Sequence, residues 1–224
     1  MPNFTEPLMS SEPKQQLPDG YDLLDTLDLT KDTRLAIMVN LTGLVMLFGS
    51  GALFFWLIQI VRPAFDTENL LISLNIEEPA AFFLPLLLFL GANFVVIVLH
   101  EAVHGLCFWL FTGKRPKFGF RGFYAFAAAP DWYFPKCRYI MVGLAPLVVL
   151  TLLGWIVLLI APVPWLFPTL LIVTLNFSGA VGDMYTVIWL LRKPEQFLVR
   201  DFGDRMQVYG PVEGEDGLHL EDRN

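Results

Sequence analysis

The segment from Leu35 to Val61 carries no charged side chain. A helix crosses the ~30 Å hydrocarbon core of a bilayer in about 20 residues, so this segment is long enough to span one. Three more apolar runs qualify: about Ala80 to Phe111, Tyr139 to Ile160 and Trp165 to Leu191. Together they predict an all-α integral membrane protein of about four transmembrane helices, at about 35–61, 80–111, 139–160 and 165–191. Composition agrees, since 55% of the residues are hydrophobic and only 17% are charged. Soluble domains hold about 45–50% and about 25%, so both figures are displaced in the direction a bilayer imposes. A disordered chain is excluded by the same figures, and a secreted disulfide scaffold by a total of two cysteines, Cys107 and Cys137. A net charge of −7 argues against a nucleic-acid partner.

Local signals bound the runs. Pro85 is tolerable in the first turns of the second span and Gly113 is placed to stop it. Pro146 predicts a kink in the third span, and Arg192, Lys193 and Pro194 end the fourth. Fourteen of the fifteen basic residues fall in the N-terminal segment, in the loop between spans two and three, or after span four; Arg62 alone falls between spans one and two. Short loops rich in Lys and Arg stay in the cytoplasm, so the expected location is the cell membrane with both termini cytoplasmic. Residues 1–34 form a polar acidic segment without the features of a signal peptide. Within it, Asp19, Asp22, Asp25, Asp28 and Asp32 recur at three or four residues, a spacing that fits one helix face with a solvated acidic surface. Residues 35–193 form the four-helix membrane-embedded unit. Residues 194–224 form an acidic cytoplasmic tail that includes His219; its end, from Pro211, has the composition of disordered chain, and Phe197 to Tyr209 is expected either on the membrane surface or over the site.

Inside the spans, the ionisable acid, base and imidazole groups are His100, Glu101, His104 and Asp183. Such groups cost several kcal/mol at membrane depth unless partnered, so each marks a functional site. His100, Glu101 and His104 form H-e-x-x-h in helical sequence, which puts both imidazoles on one face, able to reach one zinc ion, with Glu101 beside it. With three His and ten Glu in the chain, chance supplies such a motif only roughly 0.002 times. The competing reading is a pair of buried histidines hydrogen-bonded within the protein beside a neutral Glu101, which leaves three costly groups without compensation.

Zinc with two imidazoles needs a third ligand and an open position for water. Asp183 is the leading candidate. At ~1.5 Å per residue, His100 and His104 lie roughly 10–16 Å from the cytoplasmic end of their span and Asp183 about 12 Å from the same end of its own. Cys107, on the same face as the histidines, is a rival ligand or a small buried hydrophobe. Asn176, two turns before Asp183, offers an amide to a ligand carboxylate, to a substrate backbone or to another helix. Ser178, Gly179 and Gly182 are small enough to let a helix approach closely. These residue types support metal-assisted hydrolysis, with Glu101 taking a proton from zinc-bound water and returning it to the leaving amine.

In the loop from Lys114 to Arg138, Phe118, Phe120, Phe123, Tyr124 and Phe126 alternate with Gly119, Arg121 and Gly122. This pattern suggests a hairpin or re-entrant segment. Phe118 and Phe120 would then belong to a strand that binds an extended substrate, the alternative being an aromatic belt at the membrane interface with Trp132, Tyr133 and Phe134.

The stretch His100–Gly105, the loop Lys117-Phe118-Gly119-Phe120 with Ala129-Pro130 and Tyr133-Phe134, the run Gly143-Leu144-Ala145-Pro146, and Asn176 through Gly179 to Gly182-Asp183 resemble a family of small prokaryotic membrane proteins described as "putative zincin peptidase". The resemblance covers about residues 80–210. It implies a Zn2+ site of His100, His104 and Asp183 with Glu101 catalytic. That family is similar in plan to the site-2 proteases, which cut substrates inside or beside the membrane. Their second motif carries prolines after its asparagine and a glycine after its aspartate; here no proline separates Asn176 from Asp183, and Met184 follows it.

The expected activity is therefore a membrane-embedded zinc metalloprotease acting on membrane proteins or peptides. Its alternatives are a non-catalytic zinc-binding protein of structural or assembly role and, ranked last because too few polar groups line the other spans for a conduction path, a metal transporter. A cysteine introduced at Asn75 should be labelled by an impermeant maleimide added outside intact cells; protection there would refute this topology.

Overall fold

The computed structural model describes residues 12–28, 31–65, 83–121, 124–203 and 205–212. Along the chain these form β1 (Tyr21–Asp28), α1 (Thr33–Val61), α2 (Phe83–Thr112), β2 (Lys117–Arg121), β3 (Tyr124–Ala128), β4 (Phe134–Pro135), α3 (Lys136–Ile160), α4 (Val163–Gly179), α5 (Val181–Leu191), β5 (Leu198–Asp201) and β6 (Arg205–Pro211). The protein is mostly helical. The segments Thr33–Val61, Leu86–Thr112, Lys136–Ile160 and Val163–Leu191 are each long and apolar enough to cross a membrane. Val45, Phe48, Phe94, Leu110 and Ile160 stand well exposed on them, an apolar surface that is a liability in water and a matched solvent contact in lipid.

Sequence dictates where the helices begin and end. Asp32 starts α1 by accepting from the backbone N–H groups of Arg34 and Leu35, both at 3.0 Å, which satisfies two of the donors that every helix start leaves open. Gly113 ends α2 at φ +65°, its N–H returning to the Trp109 carbonyl at 2.8 Å; the left-handed conformation favours glycine. Arg62 closes the end of α3 by donating to the carbonyls of Leu158, Leu159 and Ala161. The last membrane-length segment divides at Ala180 (φ −74°, ψ 5°), so Asp183 enters the first turn of a new helix, α5, instead of the middle of a long one.

α4 is the central helix, packed against α1, α2 and α3. It reaches α3 closely because Gly154 has no side chain: a Cβ there would lie 2.1 Å from Val173 Cγ2. One apolar cluster, with Phe54, Ile58, Leu158, Leu166 and Val173, fills the Arg62 end of the bundle. Another, with Phe108, Phe134, Tyr139, Val142, Leu190, Val199 and Val208, joins the opposite end to strands.

Those strands lie outside the spans. β1, β6, β5 and β4 form an antiparallel sheet in that order, while β2 and β3 pair antiparallel with Phe118 opposite Ala127 and Gly119 opposite Phe126. The expectation of an acidic helix face before α1 is corrected by this sheet. Tyr21–Asp28 is a strand, because pairing with β6 satisfies its backbone and overrides a three-to-four spacing that a short polar segment cannot exploit alone. Its Asp25 binds Lys193, and Asp32 is the α1 cap. Of the tail, Phe197 to Tyr209 contains the β5–β6 pair, which packs on the bundle through Val199, Met206 and Val208. Asn75, His219 and residues 213–224 lie outside the described residues.

Gly154→Ala should destabilise the fold by about 1–3 kcal/mol through overpacking against stiff, buried Val173. Adding Val173→Ala to that variant should recover part of the loss in thermal unfolding measured in detergent.

Candidate active site

One turn of α2 brings His100 and His104 to one face, and their rings meet edge to face with centroids 4.9 Å apart. Asp183, from the start of α5, completes a cluster: its Oδ2 lies 2.8 Å from His100 Nε2 and 3.5 Å from His104 Nε2. One ligand atom from each of the three residues falls within 4.8 Å of the others.

What aims the two Nε2 atoms is the bonding of the other ring nitrogen. His100 Nδ1 is 3.2 Å from Asn176 Oδ1 and His104 Nδ1 is 3.0 Å from the Val142 carbonyl. Both partners are oxygens that only accept, so both Nδ1 atoms carry a hydrogen and each ring turns its Nε2 toward Asp183. The Val142 carbonyl is open to His104 for a covalent reason. In a continuous helix it would receive the N–H of residue 146, and Pro146 has none. The proline expected to kink α3 thus supplies a backbone acceptor to the site.

Asn176 is wholly buried, and its amide nitrogen is engaged by the Pro146 carbonyl at 3.3 Å and Thr151 Oγ1 at 3.5 Å. Of the roles open to Asn176, the structure shows contact with other helices, since both ends of its amide are engaged inside the protein. Cys107 packs against the apolar cluster around Phe108, the second of the two roles open to it.

Three lone-pair atoms facing one another repel unless something positive lies among them. A proton on one Nε2 relieves one contact at a time, whereas a divalent cation relieves all three, and two imidazoles with one carboxylate are a donor set that zinc accepts. The three residues can therefore hold a metal ion. Asn176 and the Val142 carbonyl are the outer partners that keep its ligands in the right tautomer.

Glu101 projects beside this cluster, and its Oε2 accepts from the Ala127 N–H of β3 at 2.7 Å. The hairpin is drawn onto α2 on the same side: a Cβ at Gly105 would lie 2.3 Å from Phe118 Cζ, so that glycine seats the Phe118 ring. Phe118 and Phe120 are 61% and 70% exposed and are not among the lining residues. A cavity of about 430 Å³ runs past His100, Glu101, His104 and Asp183 and is lined by Ala125, Phe126 and Ala127 of the other strand. Since alternate residues of a strand face alternate edges, Ala125 turns its N–H and carbonyl to the same side as the Ala127 N–H, toward the cavity.

Residues 93–198 match the family model described as "Putative zincin peptidase". This stretch of the chain is similar to that family. The matched stretch contains the histidine pair, Glu101, the β2–β3 hairpin, Pro146, Asn176 and Asp183. No curated protein and no solved structure matches the chain.

Sequence reasoning missed three participants in the cavity. The Val142 carbonyl had a legible signal, a proline four residues on in an apolar helix. Tyr139 and Asp201 had none, because one reads as an interfacial aromatic and the other as a charge in a polar tail. Burial pushes the Asp201 carboxyl above the usual carboxylate range, against the lowering effect of its Tyr139 and Gly203 donors.

Pro146→Ala should separate stability from metal binding. Restoring an N–H to Val142 should stabilise α3 by up to about 3 kcal/mol, while loosening His104 should weaken zinc binding roughly 10–100-fold in a chelator competition.

Proposed function

We propose that this protein is a membrane-embedded zinc metallopeptidase that hydrolyses peptide bonds of membrane proteins or membrane-associated peptides, in a plan like that of the site-2 proteases. The observation that carries the reading is the convergence of His100, His104 and Asp183 on one point with the Glu101 carboxylate beside them, since a purely structural metal site has no use for a base.

His100, His104 and Asp183 would hold the ion. When bound, zinc lowers the pKa of its water to about 7 and polarises the substrate carbonyl. Glu101 takes the proton of the attacking water; the Ala127 N–H fixes one of its oxygens, which leaves the other to face the reaction. Glu101 then delivers that proton to the amine as the carbon–nitrogen bond breaks.

A peptide inside a helix hides its carbonyls in hydrogen bonds, so a substrate segment must be extended before attack. The cavity edge of β3 suits that need, with Ala125 offering backbone donor and acceptor to an added antiparallel strand. This gives β3, instead of Phe118 and Phe120 of β2, the substrate-binding role. Lys114, Arg115, Arg138 and Arg192 sit at the strand-bearing end of the bundle, which by charge bias belongs in the cytoplasm together with both termini.

The test compares wild type with Glu101→Gln and Asp183→Ala, purified in detergent, for zinc content by elemental analysis and for cleavage of single-span model substrates. Glu101→Gln should keep about one zinc per chain and lose cleavage by at least roughly 100-fold, the scale of a lost general base. Asp183→Ala should lose zinc. Equal cleavage by wild type and Glu101→Gln, or equal inactivity, would sink the reading in favour of a non-catalytic zinc protein.

A further inference from the structure

The cavity contains one buried polar pair that the scheme above leaves unused. Tyr139 of α3 and Asp201 of β5 both line it and are 7% and 8% exposed. The Tyr139 hydroxyl donates to Asp201 Oδ2 at 2.5 Å, and the Gly203 N–H donates to Asp201 Oδ1 at 2.6 Å. Each carboxylate oxygen thus receives a hydrogen bond, and the single proton of the phenol is engaged by Asp201. To anything else it can present only lone pairs. The ring cannot easily swing out, because Phe108 and Phe134 flank it at centroid distances of 6.4 and 6.3 Å. Joining α3 to β5 does not by itself require such a pair, since two apolar side chains would do so without burying a carboxylate.

We propose that the Tyr139 oxygen accepts a hydrogen bond from the N–H of the scissile amide, and that Asp201 is the positioning residue that keeps the phenol proton out of the way. The proposal rests on the hydrolytic reading above. During hydrolysis the amide nitrogen becomes pyramidal and basic, receives the proton that Glu101 took from water, and leaves as the carbon–nitrogen bond breaks. Its N–H gains positive character along that path. An acceptor backed by a carboxylate therefore holds the transition state more tightly than the ground state, which is what accelerates a reaction. Tyr139 keeps its own proton throughout. Asp201 comes from the β5–β6 pair, beyond the stretch matched to the family, so this part of the cavity is supplied by the chain after residue 198.

An ester has no N–H at the scissile position, and this separates the proposal from a structural role. The probes are a quenched-fluorescent apolar peptide whose cleavage site is fixed by mass spectrometry and the depsipeptide with oxygen in place of that N–H. Tyr139→Phe should lower kcat on the amide by roughly tenfold or more, with a smaller change in KM, and alter kcat on the ester by less than about twofold. Asp201→Asn should act in the same direction, less strongly. Independently of turnover, the Glu101→Gln protein should bind the amide more tightly than the depsipeptide, and adding Tyr139→Phe should abolish that preference.

Equal losses on amide and ester, or a preference that survives Tyr139→Phe, would overturn the proposal while leaving the hydrolytic reading intact. Zinc content and the thermal midpoint check that Tyr139→Phe is folded. If it is not, the near-isosteric Asp201→Asn carries the same comparison. Failure of the zinc-loaded wild type to cleave either probe would overturn the hydrolytic reading and this proposal together.

Discussion

One carbonyl that no helical amide can reach organises the centre of this protein. Pro146 withholds a hydrogen bond from Val142, and a bare backbone carbonyl inside an apolar bundle is too costly to leave unpaired. The His104 ring pays that debt through Nδ1. In doing so it fixes its own tautomer, so Nε2 must face the opposite way, toward Asp183. A helix defect and an imidazole, each expensive alone, satisfy one another. Asn176 performs the same service for His100, and its wholly buried amide is in turn held by Pro146 and Thr151. The ligand face of α2 is thereby oriented from α3 and α4 at once.

The close approach this requires is made by small residues. Gly154 lets α3 and α4 come together, Gly105 gives the Phe118 ring its seat on α2, and the break at Ala180 starts a helix whose first turn carries Asp183. Strands then close the end of the bundle. The β2–β3 hairpin meets Glu101 through the Ala127 amide, and β5 brings Asp201 to Tyr139 from the other side. Polar chemistry is thus enclosed where the helices end, with apolar packing on one side and sheet on the other.

Much of this could be read directly. Charge-free runs identify the membrane-length helices because hydrocarbon penalises each charge regardless of its neighbours. The same penalty makes His100, Glu101, His104 and Asp183 conspicuous, and helical periodicity alone places the two histidines together. The sheet was less legible. Tyr21–Asp28 has neither alternation nor β-branched composition, and it is a strand because β6 is there to pair with it. The acidic spacing that suggested a helix face was a coincidence of one dimension.

The sequence by itself determined that four apolar runs of membrane length exist, that His100, Glu101, His104 and Asp183 are the acid, base and imidazole groups within those runs, and that their types suit a metal and a base. These follow from composition and from spacings of a few residues. Tertiary structure decided which atoms orient those groups. The partners of the two Nδ1 atoms lie 38 and 76 residues away, one is a carbonyl that no side-chain code specifies, and the cavity edge belongs to β3 instead of β2. Such choices depend on where separate helices come to rest against one another, and local pattern carries no record of that.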